Sequence, residues 1–91
     1  MNSDMKILEA IVWMTNDLIK QYYDRVGDIK PDSNFDEEGI DSLGRINLFL
    51  AIEKNFDIQF DNEKVIGITD GVHTPLEAVP YIKEALEKKD G

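Results

Sequence analysis

The chain has 91 residues, a formal net charge of −9 at neutral pH and no cysteine. That length fits one domain with one small core, spanning 1–91 and ordered from about residue 4 to about residue 86, and leaves little room for a large enzyme pocket. The missing cysteine excludes a disulfide framework, a thiolate zinc site and a protein thiol nucleophile, and nineteen acidic against ten basic side chains argue against a general nucleic-acid binder. Apolar residues at 42% and charged residues at 32% describe a globular chain, not a disordered one. No apolar run approaches a membrane span, and Met1–Lys6 lacks the pattern of a signal peptide. The expectation is a cytoplasmic monomer whose acidic surface meets basic patches on other proteins.

The first helix is predicted from Leu8, Ile11, Val12, Leu18, Ile19 and Tyr22, whose spacing makes a one-sided apolar stripe. Ser3 or Asp4 caps its start, Gly27 ends it after Arg25, and Glu9, Asn16, Asp17 and Lys20 lie on the opposite side. Residues 27–41 form a long polar connection, with Ile29, Phe35 and Ile40 spaced through it as pins to a core, which makes it an ordered loop. The second helix runs from about Ser42 to about Asn55. Its apolar side chains cover roughly 220° of the surface, as one stripe of Leu43, Ile46 and Leu50 and another of Phe49, Ile52 and Phe56, leaving Asn47, Lys54 and Gly44 as a narrow polar strip. A helix this widely apolar needs neighbours on more than one side or lends part of itself to a ligand.

Asp57–Asp61 alternates like a strand but has no strand to pair with, so it reads as an extended loop. Asn62–Ile66 forms a short helical turn or two, with Gly67, Asp70 and Gly71 marking turns. Thr74-Pro75-Leu76-Glu77 is a capping box with proline at the first helical position. Leu76, Ala78, Val79, Ile82 and Leu86 give the last helix its stripe. Pro80 either kinks that helix or delays its regular part to Val79, and the tail from Glu87 onward frays.

The chemistry centres on Gly39-Ile40-Asp41-Ser42-Leu43, a serine at the mouth of an apolar helix. By residue type, Asp41 and Ser42 are both helix caps. A second reading makes Ser42 the carrier of a phosphate ester, because helix N-termini present free N–H groups and a positive dipole end. The two are compatible when Asp41 caps and the Ser42 hydroxyl points outward.

Asp41-Ser42-Leu43, followed by Ile46, Leu48, Ala51, Ile52, Glu53, Phe56, Asp57 and Ile58, closely resembles the acyl carrier protein family. The resemblance implies an all-α, acyl-carrier-like four-helix bundle with a long first loop and a short third helix. It implies that Ser42 bears 4′-phosphopantetheine, donated from coenzyme A by a phosphopantetheinyl transferase, with Asp41 as helix cap and transferase-recognition residue. The arm supplies the thiol that the chain lacks. Leu43, Arg45 and Ile46 form the expected partner-contact surface, and Phe49, Leu50 and Ile66, with Ile46, are candidates for an acyl cleft. The expected partners are the transferase, acyl- or aminoacyl-ligases and acyl-transfer enzymes. The protein itself catalyses nothing.

Two departures narrow the role. Fatty-acid carriers have acidic side chains after Asp-Ser-Leu, whereas Gly44, Arg45 and Asn47 stand here and residues 42–55 sum to about +1. Glu38 replaces the leucine expected four residues before the serine. Both point away from housekeeping fatty-acid synthesis and toward a specialised fatty-acid, lipid or polyketide pathway. Asp41-Ser42-Leu43-Gly44, Ala51-Ile52-Glu53, Phe56-Asp57-Ile58 and Thr74-Pro75 are also similar to D-alanyl carrier proteins, although Val72 and His73 stand where those proteins place tryptophan. A D-alanyl or aminoacyl load is therefore the alternative, and an unmodified acidic interaction domain a further one.

A serine hydrolase is disfavoured. The spacing around Ser42 is G-x-x-S-x-G instead of the nucleophile elbow, and His73 is the sole histidine. No metal site is expected: Asp57, Gln59 and Asp61 lack the glycine and closing glutamate of an EF-hand, and Asp36, Glu37, Glu38 and Asp41 read as a solvated acidic loop.

Overall fold

In the computed structural model, which describes residues 3–90 (of Ser3, Asn62, Lys64 and Asp90 the backbone only), the chain forms four helices. They are α1 (Ser3–Tyr22), α2 (Ser42–Phe56), α3 (Asn62–Gly71) and α4 (Pro75–Asp90). No strand occurs among the described residues, and 57–61 is a connecting segment, as its lack of a pairing partner requires. α1 packs against α4 and α2, and α3 packs against α2. This is the all-α bundle with a long first loop and a short third helix. None of its helices, among the described residues, is long and apolar enough to cross a membrane.

α1 buries Ile7, Ile11, Met14, Leu18 and Ile19 along one face. Of the expected stripe, Leu8 and Val12 are half-buried at its margins and Tyr22 is exposed. The expected Ser3 cap lies outside the described side chains, while Asp4 pairs with Lys83 of α4 at 3.2 Å. The helix stops at Tyr22, earlier than Gly27, because Asp24 takes the left-handed conformation at φ 52°. Gly27 has another role. A Cβ there would lie 2.6 Å from Asn16 Oδ1 and 2.8 Å from Asn16 Cα, so only glycine lets the returning chain lie this close to α1. Asn16 does not simply face solvent, as its polarity suggests. Its Oδ1 accepts from Ile29 N–H at 2.7 Å and its Nδ2 donates to Ile29 O at 3.4 Å, clamping the loop to the helix.

The loop is ordered by apolar pins and by partnered backbone. Ile29, Phe35 and Ile40 are all buried. Phe35 N–H donates to His73 O at 2.8 Å and Leu76 N–H to Pro31 O at 3.1 Å, which lays the loop over the entry to α4.

α3 is longer than expected and runs through Gly67 to Gly71. Glycine costs a helix about 1 kcal/mol, but Ile68 and Thr69 on the inner face are buried and Val72 closes the helix into the core. Tertiary packing outweighs the local preference. α4 starts at Pro75, not at Val79, and Pro80 sits exposed inside it. Thr74 Oγ1 accepts from Glu77 N–H at 3.2 Å, as a capping box requires, but Glu77 Oε1 accepts from His73 N–H at 3.0 Å, one residue before the cap. The segment expected to fray is helical as far as Asp90, with Lys89 paired to Asp57 at 3.2 Å.

Candidate functional site

The site is built at the N-terminus of α2. Asp41 is extended (φ −79°, ψ −175°), and its carboxylate accepts from Gly44 N–H at 2.9 Å, satisfying one of the free donors of the first turn. Tyr23, just past the end of α1, donates its hydroxyl to the same Oδ1 at 3.1 Å. The Gly44 N–H, and then the Tyr23 hydroxyl, hold the Asp41 carboxyl below the usual carboxylate range. Burial first, then the Asp41 hydrogen bond and charge, push the Tyr23 phenol up, so it stays a donor. Because Asp41 does the capping, the hydroxyl of Ser42, the first residue of the helix, is left exposed and outside that network.

Gly44 makes the arrangement possible. A Cβ on it would fall 2.4 Å from the Tyr23 hydroxyl and 2.9 Å from Ile40 Cγ2. The residue assigned to a polar strip is buried under Tyr23, a consequence of the loop folding back over the helix start.

Arg45 departs most from expectation. It does not lie on the contact surface, being only 6% exposed. Nε donates to Thr69 O at 3.0 Å, and Nη1 donates to Asp36 Oδ1 at 2.7 Å and to Ile40 O at 3.1 Å. Its Nη2 lies 3.5 Å from Ser42 Oγ. One guanidinium thus joins α2, the acidic loop and the end of α3 beside the serine. Charge alone assigns an arginine to the surface. The signal in the sequence is spacing: Arg45, Phe49, Ile52 and Phe56 share one helix stripe.

The remaining candidates divide. Leu43 is 66% exposed beside Ser42, and Ile46 is half-buried. Phe49 is sealed in the core, edge-on to Phe60 with ring centroids 6.1 Å apart, whereas Leu50 and Ile66 are exposed. The four cleft candidates, Ile46, Phe49, Leu50 and Ile66, therefore do not line one cavity. The space of about 470 Å³ between α3 and α4 is lined by Phe60, Ile68, Tyr81 and Ala85 instead. His73 Nδ1 faces Asp36 Oδ2 at 3.7 Å, and the side chain beside Ser42 Oγ is a guanidinium, not a base. Sequence reasoning missed Tyr23, Asp36 and Thr69, which meet the site only through the fold.

The sequence model of the family described as phosphopantetheine attachment site matches residues 17–70, more than half of the chain and all of α2. No solved structure matches the chain. The residues present fit the group: an exposed hydroxyl opens a capped helix whose free N–H groups and neighbouring guanidinium suit a phosphate. Carriers of this kind deal with a phosphopantetheinyl transferase and with acyl-handling enzymes. The chain belongs to the phosphopantetheine attachment-site family, as a carrier domain of the acyl carrier protein type whose cofactor is covalently attached 4′-phosphopantetheine.

Proposed function

We propose that Ser42 is the attachment residue and that the loaded protein carries acyl groups in a specialised fatty-acid, lipid or polyketide pathway, catalysing nothing itself. The observation that carries this reading is exposed Ser42 at the first position of α2, its hydroxyl released from capping by Asp41 and met, among the described residues, only by Arg45 Nη2 at 3.5 Å. When bound, the arm supplies a terminal thiol that holds the acyl group as a thioester. The chain's own residues do the rest. Ser42 offers the oxygen, Asp41 fixes the first turn that a transferase must recognise, and exposed Leu43 gives an apolar contact next to the arm. No base is needed at Ser42, because the transferase performs the esterification.

The partner surface differs from an acidic recognition helix. Lys54 is the one fully exposed charged side chain of α2, since Arg45 is buried and half-buried Glu53 accepts from Phe60 N–H at 2.8 Å. Partners with a strongly basic docking face gain little from such a helix. The second reading, an aminoacyl load such as D-alanine, is supported by Asp41-Ser42-Leu43-Gly44, Phe56-Asp57-Ile58 and Thr74-Pro75.

Loading with coenzyme A and a broad-specificity transferase, followed by trypsin, tests the attachment point. Cleavage after Arg25 and Arg45, with Lys30 protected by Pro31, yields a peptide with two serines, Ser33 and Ser42. Fragmentation is expected to place the arm on Ser42; an arm on Ser33, or none, overturns the reading. Charging the loaded protein with fatty acids or with D-alanine through candidate ligases separates the two cargoes.

A further inference from the structure

We propose that Arg45 is a built-in counter-ion for the phosphate of the arm, pinning its root at the junction of α2, the acidic loop and α3. The inference rests on Ser42 being the attachment residue. A guanidinium has five N–H bonds to give. The Nε–H goes to Thr69 O, and the two on Nη1 go to Asp36 and Ile40 O. Nη2 keeps two, and among the described residues its sole partner is Ser42 Oγ, at the long distance of 3.5 Å. The side chain is 8% exposed, so it has little contact with bulk water. The surplus donor capacity of a buried cation therefore faces the atom that would bear the phosphate.

The charges agree with the geometry. Asp36 already offsets the guanidinium from the Nη1 side, and Asp41 stands beside Ser42 with its carboxylate committed to Gly44 N–H and the Tyr23 hydroxyl. A phosphodiester adds one negative charge next to both acids. Without the guanidinium, only the N-terminus of α2 would offset that like charge. Arginine–phosphate contacts settle at about 2.8 Å, and Nη2, 3.5 Å from Ser42 Oγ, is the side-chain donor that would hold a phosphate on that oxygen. Asp36 then keeps Nη1 while the phosphate takes Nη2, and the fork already tied to Thr69 fixes the direction in which the arm leaves the helix. A lysine cannot do this, because a single ammonium does not serve Thr69 O, Asp36 and a phosphate in one plane.

The test uses the whole protein before and after loading, with the mass gain measured first. Side-chain nitrogen–proton spectra of Arg45 and the phosphorus spectrum of the loaded form are then recorded for the wild type, Arg45→Lys and Arg45→Gln, with Lys54→Gln as control. Loading is expected to shift the Arg45 Nε and Nη signals and slow exchange of the Nη2 protons. The phosphorus resonance is expected to move in both Arg45 variants and to stay put in Lys54→Gln. A confirmed mass gain with unmoved Arg45 signals, or with the phosphorus resonance identical in wild type and Arg45→Lys, overturns the proposal while leaving Ser42 attachment intact. No mass gain overturns attachment and this inference together. The wild-type comparison needs no variant to fold.

Discussion

At Gly44, two residue-scale effects oppose each other. Replacing a helical glycine by alanine gains about 1 kcal/mol in propensity, but here the new Cβ would sit 2.4 Å from the Tyr23 hydroxyl. Overpacking of that kind costs about 1–3 kcal/mol, so Gly44→Ala is expected to lower stability by about 1 kcal/mol net. In a Tyr23→Phe background, which removes the clashing oxygen, the same change is expected to cost clearly less. Denaturant unfolding of the four proteins checks this, and equal costs in both backgrounds would refute the close approach. Asp41 supplies a pH prediction. Its folded carboxyl titrates below the ordinary value of about 3.9. As pH falls, the unfolded chain takes up its proton first, so the stability Asp41 provides is complete above that value and lost as pH falls through the lower folded one. An Asp41→Asn variant keeps a capping oxygen but does not titrate. The melting-temperature gap between wild type and Asp41→Asn is expected to narrow below about pH 4; parallel curves would contradict it.

The elements are legible where pattern and packing agree. Ile29, Phe35 and Ile40 identify an ordered loop because isolated apolar side chains in a polar run have few other uses, and all three are buried. Thr74-Pro75-Leu76-Glu77 marks the start of α4 because its capping chemistry is local. The ends of α1 and α3 are not legible: α1 stops where Asp24, not a glycine, turns left-handed, and burial of Ile68 and Val72 carries α3 past Gly67. Burial of Arg45 escapes as well, its acceptors lying on Asp36, Ile40 and Thr69. Pro80 gives the element-scale test. It is exposed within a continuous α4, where it removes one backbone hydrogen bond and stiffens the unfolded chain. Pro80→Ala is expected to stabilise the protein by about 2 kcal/mol on balance, read from urea unfolding. A loss of stability would mean that α4 packs through a proline-dependent bend.

For the whole molecule, the −9 charge is confined to a body with a radius of gyration of 12.4 Å. At about 0.01 M salt the screening length is roughly 30 Å, so all charges interact; at about 0.15 M it is roughly 8 Å. The exposed pairs Lys83–Asp4, Lys88–Glu84 and Lys89–Asp57 are worth about 0–1 kcal/mol each and weaken with salt, but net repulsion weakens more. Melting temperature is expected to rise between those salt concentrations, and a fall would show that the ion pairs dominate. Five of the negative charges lie in residues 31–41, leading into Ser42. Asp36 and Asp41 among them are engaged in building the site, so the acidic approach is partly architecture and only partly surface. What the sequence made legible about function was the serine and its setting; what it hid was the set of side chains around that serine. The most direct measurement is the intact mass of the protein after incubation with coenzyme A and several phosphopantetheinyl transferases. A gain of one phosphopantetheinyl group by the wild type and none by Ser42→Ala is expected. No gain with any transferase, or an equal gain by Ser42→Ala, would contradict the assignment of Ser42 as the attachment point.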